Sequence, residues 1–216
     1  MSEKKYIIFT DLKDFTYKNT LLTDSQVAEI LSEFDAIIRK ASGTYEVSVI
    51  KNIGDAYFII AENVQSAYDF AQDILQASKD YDAQCKIDIK KISLRVTLTY
   101  GTIARNTALE LEDYFGEAIN LWARIMDMTP AGKIFCSEEV KFALCENTPS
   151  EYLWKYTFHG ILTEIPLYSL TEISKQEIEL LRDRDDSELK IAEDVVFRAS
   201  CVAAILSVQP LPFLEN

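Results

Sequence analysis

Strand, helix, strand, strand, helix, strand is the order in which hydrophobic periodicity changes over the first hundred residues. It predicts an α+β fold on a split βαβ, ferredoxin-like core, followed by a C-terminal helical extension. Three observations carry that prediction. Short apolar runs stop abruptly at turn residues. Two long segments repeat apolar residues at helical spacing. The two central apolar runs are joined by Lys51-Asn52-Ile53-Gly54-Asp55, which reads as a hairpin turn.

Taken in order, Tyr6 to Thr10 is a buried strand that stops at Asp11. Thr23-Asp24-Ser25 offers helix caps, and Val27, Ile30, Leu31, Phe34, Ile37 and Ile38 then form one apolar face. Thr44 to Ile50 alternates and is β-branched, a strand, and Ala56 to Ala61 is its partner. Residues 64 to 78 place Ala67, Phe70, Ala71, Ile74 and Leu75 on one helix side. Ile92 to Thr99 reads as a strand, 117 to 128 as a helix, Ile134 to Cys136 as a short strand and 137 to 145 as a short helix. These elements make a core domain over 1–173. From residue 174 the chain turns charged and then apolar, with a break at Asp183 to Asp186 and a stop at Pro210 and Pro212. That makes 174–216 a helical extension, expected to act as a dimer clasp or partner surface.

Composition narrows the function classes. A net charge of -13, from 22 basic and 35 acidic residues, argues against a nucleic-acid or anionic-membrane surface. Cys85, Cys136, Cys145 and Cys201 show no zinc-ligand spacing and His159 is the only histidine, so a structural zinc site is not expected. The thiols read as reduced ones of a cytoplasmic protein. The opening MSEKKYIIF enters a strand without a signal peptide, and no apolar run reaches membrane-spanning length.

Chemistry concentrates in three segments. Asp11 follows the first strand and Asp55 follows Gly54 in the hairpin, and a split βαβ core lays these strand ends side by side. Two carboxylates meeting there suit a pair of Mg²⁺ or Mn²⁺ ions. Either acid alone reads better as a turn residue. The third segment, EDYFGEAINLWARIMDM, puts Asn120 and Arg124 four apart on one helix face, with Gly116 allowing close backbone approach just before it.

Together these segments resemble the class III nucleotide cyclase catalytic domains. The motifs are Phe9-Thr10-Asp11-Leu12-Lys13-Asp14-Phe15-Thr16, Lys51-Asn52-Ile53-Gly54-Asp55, and Asp113 through Arg124, in family order and spacing, followed by PAGKIFCSEEV. The resemblance covers roughly residues 5 to 170. It implies an enzyme, a phosphorus-oxygen lyase, working as a homodimer with two active sites at its interface. Asp11, Asp55 and the Leu12 carbonyl of one protomer would hold the two ions. Backbone amides around Asp14, Phe15 and Thr16 would cradle the triphosphate. From the other protomer, Asn120 and Arg124 would face ribose and α-phosphate, while Lys51 and Asp113 would read the base. Where the family usually carries a phosphate-touching lysine, this chain has His159, which could donate as a weaker, pH-dependent cation or simply pack.

The base follows from donor and acceptor. Lys51 donates and Asp113 accepts, so the matching edge has a ring-nitrogen acceptor beside an exocyclic amine. Adenine and cytosine both present it. Tyr114 stands where the family usually has Ile or Leu beside the base. Its ring either shrinks the pocket toward a pyrimidine or packs away. In size and layout the chain resembles the stand-alone bacterial cyclases of Pycsar anti-phage systems, which make cyclic CMP or cyclic UMP. The combined expectation is cyclic CMP first, cyclic AMP as the alternative, and cyclic UMP third. An inactive cyclase fold that only binds nucleotide is the reading of a different class; it predicts loss of Asp11, Asp55, Asn120 or Arg124, and all four are retained.

Overall fold

The computed structural model describes residues 2–106, 113–156 and 164–182. The strands are β1 (Ser2–Leu12), β2 (Val47–Ile53), β3 (Ala56–Ala61), β4 (Leu94–Asn106), β5 (Asp113–Phe115), β6 (Ile134–Ser137), β7 (Glu151–Tyr156) and β8 (Ile165–Ser169). The helices are α1 (Phe15–Leu21), α2 (Asp24–Ser42), α3 (Val64–Gln84), α4 (Glu117–Met128), α5 (Glu138–Ala143) and α6 (Lys175–Arg182). The chain divides into two units at Lys175 and Gln176, and α6 begins at that boundary.

In the first unit one sheet runs β2-β3-β1-β4-β6-β8-β7, with β5 added to β4. The stretch β2-β3-β1-β4 is antiparallel throughout and is the expected split βαβ core. The parallel β4–β6 pair then extends it.

Side chains alternate across the sheet. On one face Ile8, Tyr57, Ile59, Leu94, Val96 and Leu98 meet α2 and α3. There Phe34 of α2 and Phe70 of α3 are fully buried, each ring contributing about 2–3 kcal/mol by removal from water. Helix α2 opens with a reciprocal cap: Thr23 Oγ1 accepts from the Gln26 amide, and Gln26 accepts from the Thr23 amide. Such a cap stabilises by about 1 kcal/mol. On the opposite face Ile7, Phe9, Phe58 and Ile60 form a smaller cluster under α4. Trp122 of α4 stacks on Phe9 with centroids 3.5 Å apart, so it is a packing residue.

Several local features differ from the sequence reading: β1 runs from Ser2 through Leu12, so Asp11 lies within the strand, α3 and β4 run past their expected ends, and β5, β7 and β8 had no counterpart. Residues 15–21 form α1, which the pattern did not indicate. And β2 starts and ends three residues later than expected, so Lys51, Asn52 and Ile53 lie in the strand. A bulge between Val49 and Lys51 resets the register, and the turn shortens to Gly54-Asp55. Gly54 takes φ 65°, and it opens a two-residue hairpin where a side chain would be strained.

Among the described residues Cys85, Cys136 and Cys145 are free thiols, and no helix is long and apolar enough to cross a membrane. Cys201 lies outside the described residues.

Candidate active site

Antiparallel pairing of β1 with β3 sets Asp11 opposite Ala56, the residue after Asp55. The two carboxylates therefore share one end of the sheet, as the hairpin reading expected. Asp11 follows Ile7 and Phe9 in alternation and so faces the α4 side. Both acids are largely withdrawn from water. Burial pushes the Asp11 carboxyl above its ordinary range even with a cation beside it. Burial, and then the charge of Asp11, push Asp55 up to about 6. Two carboxylates raised together mark a site short of positive charge.

The cation hydrogen-bonded to Asp11 is Arg95, which the sequence reading missed. It pairs with Asp11 across β1 and β4. Its Nε donates to Asp11 Oδ2 at 2.7 Å, and its Nη1 donates to the Met126 carbonyl of α4 at 2.9 Å. The available signal was an arginine inside the otherwise uncharged strand LRVTLTY.

These residues fit a divalent ion of the magnesium type. The donors are oxygens only, and among the described residues no cluster of three or more His, Cys, Asp or Glu gathers. Two carboxylates with remaining positions left to water and phosphate is how magnesium is commonly held.

The turn after β1 ends with Asp14 at φ 60°, which caps α1 without a side-chain hydrogen bond. Phe15 is buried in the core beside Leu12, so only backbone groups of these two residues face outward chemistry, while Thr16 is exposed. Behind this turn lies a second unanticipated residue. Lys18 is buried, donating to the Lys91 carbonyl at 2.7 Å and to Ser93 Oγ at 3.0 Å. The Lys13 amide donates to the Ser93 carbonyl, and Asp82 of α3 accepts from the amides of Ile92 and Ser93. The turn is thus tied to residues 91–93 at both ends. Desolvation lowers the pKa of Lys18. No periodicity could reveal a buried lysine of this kind.

Lys51, on β2, is cross-strand from Phe58, and the Phe58 ring meets Tyr114 of β5 at 6.0 Å between centroids. Lys51, Phe58 and Tyr114 are therefore brought to one face, with Tyr114 packed toward the smaller apolar cluster. Asp113 opens β5 opposite Asn106. Gly116 precedes α4 at φ 156°, and a Cβ there would sit 2.4 Å from the Thr102 carbonyl oxygen, so the close approach requires glycine. On α4, Ala118, Ile125 and Met126 are buried. By helical register the Asn120 and Arg124 positions lie on the side turned from that buried stripe. His159 lies outside the described residues.

Residues 2–160 match the family described as the adenylate and guanylate cyclase catalytic domain. The chain belongs to that family. The cyclase domain is 27% identical over 155 residues to an uncharacterised protein of Mycobacterium tuberculosis (strain ATCC 25618 / H37Rv), covering 72% of this chain and 36% of that protein. The chain thus spans about a third of the length of the curated relatives it matches. Among solved structures the cyclase domain superposes on the guanylyl cyclase Cya2 with TM-score 0.69 at 13% identity, covering 81% of this chain and 95% of that one. It superposes on the adenylyl cyclase CyaB of P. aeruginosa with TM-score 0.66 at 15% identity, covering 81% and 98%. These likenesses establish the class III cyclase fold. They include both purine specificities and leave the base to the site residues.

Proposed function

We propose that this chain converts a nucleoside triphosphate into a 3′,5′-cyclic nucleotide and pyrophosphate at the interface of a homodimer. The observation that carries the reading is the meeting of Asp11 and Asp55 at one sheet end, with Asp55 held up to about 6. Asp11, Asp55 and the Leu12 carbonyl would hold two Mg²⁺ or Mn²⁺ ions. When bound, these ions acidify the ribose 3′-hydroxyl and neutralise charge on the departing pyrophosphate.

The chain's own residues do the rest. The 3′-oxygen forms a bond to the α-phosphorus as the bond to the β-phosphate bridging oxygen breaks, and the hydroxyl proton passes to solvent. Amides of Asp14 to Thr16 bind the triphosphate of their own protomer's site. Arg124 of the opposite protomer stabilises charge on the α-phosphate, and Asn120 orients the ribose. Placement of the Asn120 and Arg124 positions away from the buried stripe of α4 supports their serving a neighbouring protomer. With both half-sites on one chain, a two-fold dimer has two equivalent sites. His159 is a candidate phosphate donor.

For the base we propose cytosine first. Lys51 and Asp113 match its N3 and N4-amine edge, and a Tyr114 ring held by Phe58 supports a pocket cut down for a pyrimidine. Uracil, which needs a shifted geometry, ranks third behind adenine. A role as a cytoplasmic second-messenger source in bacterial anti-phage defence goes with a pyrimidine product. A second reading is an adenylate cyclase, favoured because the Lys51 and Asp113 edge serves adenine equally well.

The test is incubation of the purified chain with ATP, CTP, GTP or UTP and Mn²⁺, with products identified by mass spectrometry and Asp55→Ala as control. Cyclic CMP or cyclic UMP, absent in the variant, is the expected result. Cyclic AMP alone would select the second reading. No cyclic product from any of the four would sink the catalytic proposal.

A further inference from the structure

We propose that Tyr57 is a positioning residue that anchors the β2–β3 hairpin to α2 and so fixes Asp55 and Lys51 together. The inference rests on the reading of those two residues given above. The Tyr57 hydroxyl donates to Asp35 Oδ1 of α2 at 2.7 Å. Asp35 is held in turn by Arg39, one helical turn on. Asn52 of β2 is Tyr57's cross-strand partner. The Tyr57 ring is buried, edge-on to Phe34 at 5.1 Å, and Phe34 is fully buried beside Asp35 on α2. One phenol thus ties β3 to a helix, and β2 follows through the pairing of Asn52 with Tyr57.

The hairpin needs such a tie. Among the described residues β2 ends the sheet and pairs with β3 alone, its Val49 and Ile53 are exposed, and a bulge interrupts its register just before Lys51. An edge strand of this kind opens easily. Tyr57 lies two residues after Asp55, and Asn52 lies one after Lys51. Loosening the phenol therefore frees the metal acid and the base reader by the same movement. In the proposed dimer these two residues serve different sites, so Tyr57 sets the geometry of both.

Tyr57→Phe keeps the packing on Phe34 and removes the hydrogen bond to Asp35, and Asp35→Ala removes the acceptor from the other side. Hydrogen exchange by mass spectrometry on the full chain, with Mn²⁺ affinity measured by calorimetry, tests the proposal. Both variants are expected to exchange at least fivefold faster across residues 47–56, with β1 and α3 unchanged and Mn²⁺ affinity down threefold or more. Unchanged exchange in the hairpin would overturn the anchor. Faster exchange with unchanged Mn²⁺ affinity would overturn its positioning role. A wild-type chain that binds no Mn²⁺ would sink the metal reading instead, and the exchange rates alone would then uphold or overturn the anchor.

Discussion

Arg95 on β4 holds Asp11 on β1 through Nε and Nη2 while its Nη1 grips the Met126 carbonyl at the end of α4. One guanidinium therefore supports a candidate metal ligand and the helix that bears Asn120 and Arg124. Removing it leaves two half-buried carboxylates without their hydrogen-bonded cation. Arg95→Met is expected to lower stability by about 3 kcal/mol. Thermal unfolding checks this, and Mn²⁺ should recover more of the loss in Arg95→Met than it adds to wild type.

Asp55 makes the metal-free protein sensitive to pH. Its carboxyl ordinarily titrates near 3.8 and is raised to about 6 in the fold by burial and by Asp11. Between these values the folded chain binds more protons than the unfolded chain, so stability falls as pH rises through the window. Asp55 is partly exposed, and solvent screening reduces the effect to on the order of 1 kcal/mol. Without metal, Asp55→Asn should therefore melt above wild type at pH 7.5 and below that margin at pH 4. Mn²⁺ should raise the wild-type melting temperature at pH 7.5 and leave the variant nearly unmoved.

The two half-sites make a complementation test. Asp55→Ala and Arg124→Ala should each lose at least about a hundredfold in kcat with little change in melting temperature. Mixed in equal amounts and allowed to exchange subunits, half the dimers carry one intact site of two. About a quarter of wild-type activity should return. No recovery in mixtures shown to have exchanged subunits would mean that one protomer supplies both Asp55 and Arg124 to a site.

Tyr114 is expected to govern the base. Its ring is braced by Phe58, the cross-strand partner of Lys51. Tyr114→Ile should open the pocket and shift the ratio of kcat/KM for ATP over CTP upward by about tenfold, or roughly 1.4 kcal/mol. The ratio is read from parallel assays of the two triphosphates. An unchanged ratio would assign Tyr114 to packing alone.

Much of the site was legible because its motifs are short and local. Asp11 at a strand end, Gly54-Asp55 in a turn, and Asn120 four residues from Arg124 each follow from neighbours within one turn or one hairpin. Helix α1 was not legible, since FTYKNTL mixes aromatic and β-branched residues of weak helical preference and is started by a left-handed Asp14. Lys51 was read into a turn because the bulge that carries β2 three residues further leaves no trace in the alternation.

The amino-acid sequence by itself determined the element order, the apolar faces, the residue types of the candidate site and the family they resemble. Only the tertiary structure decided which of those residues meet. Asp11 and Arg95 are 84 residues apart, and Asp35 reaches Tyr57 across 22. Periodicity fixes which face a side chain takes within its own strand or helix. Which partner it finds there depends on strand register and helix packing, set by the whole core closing at once.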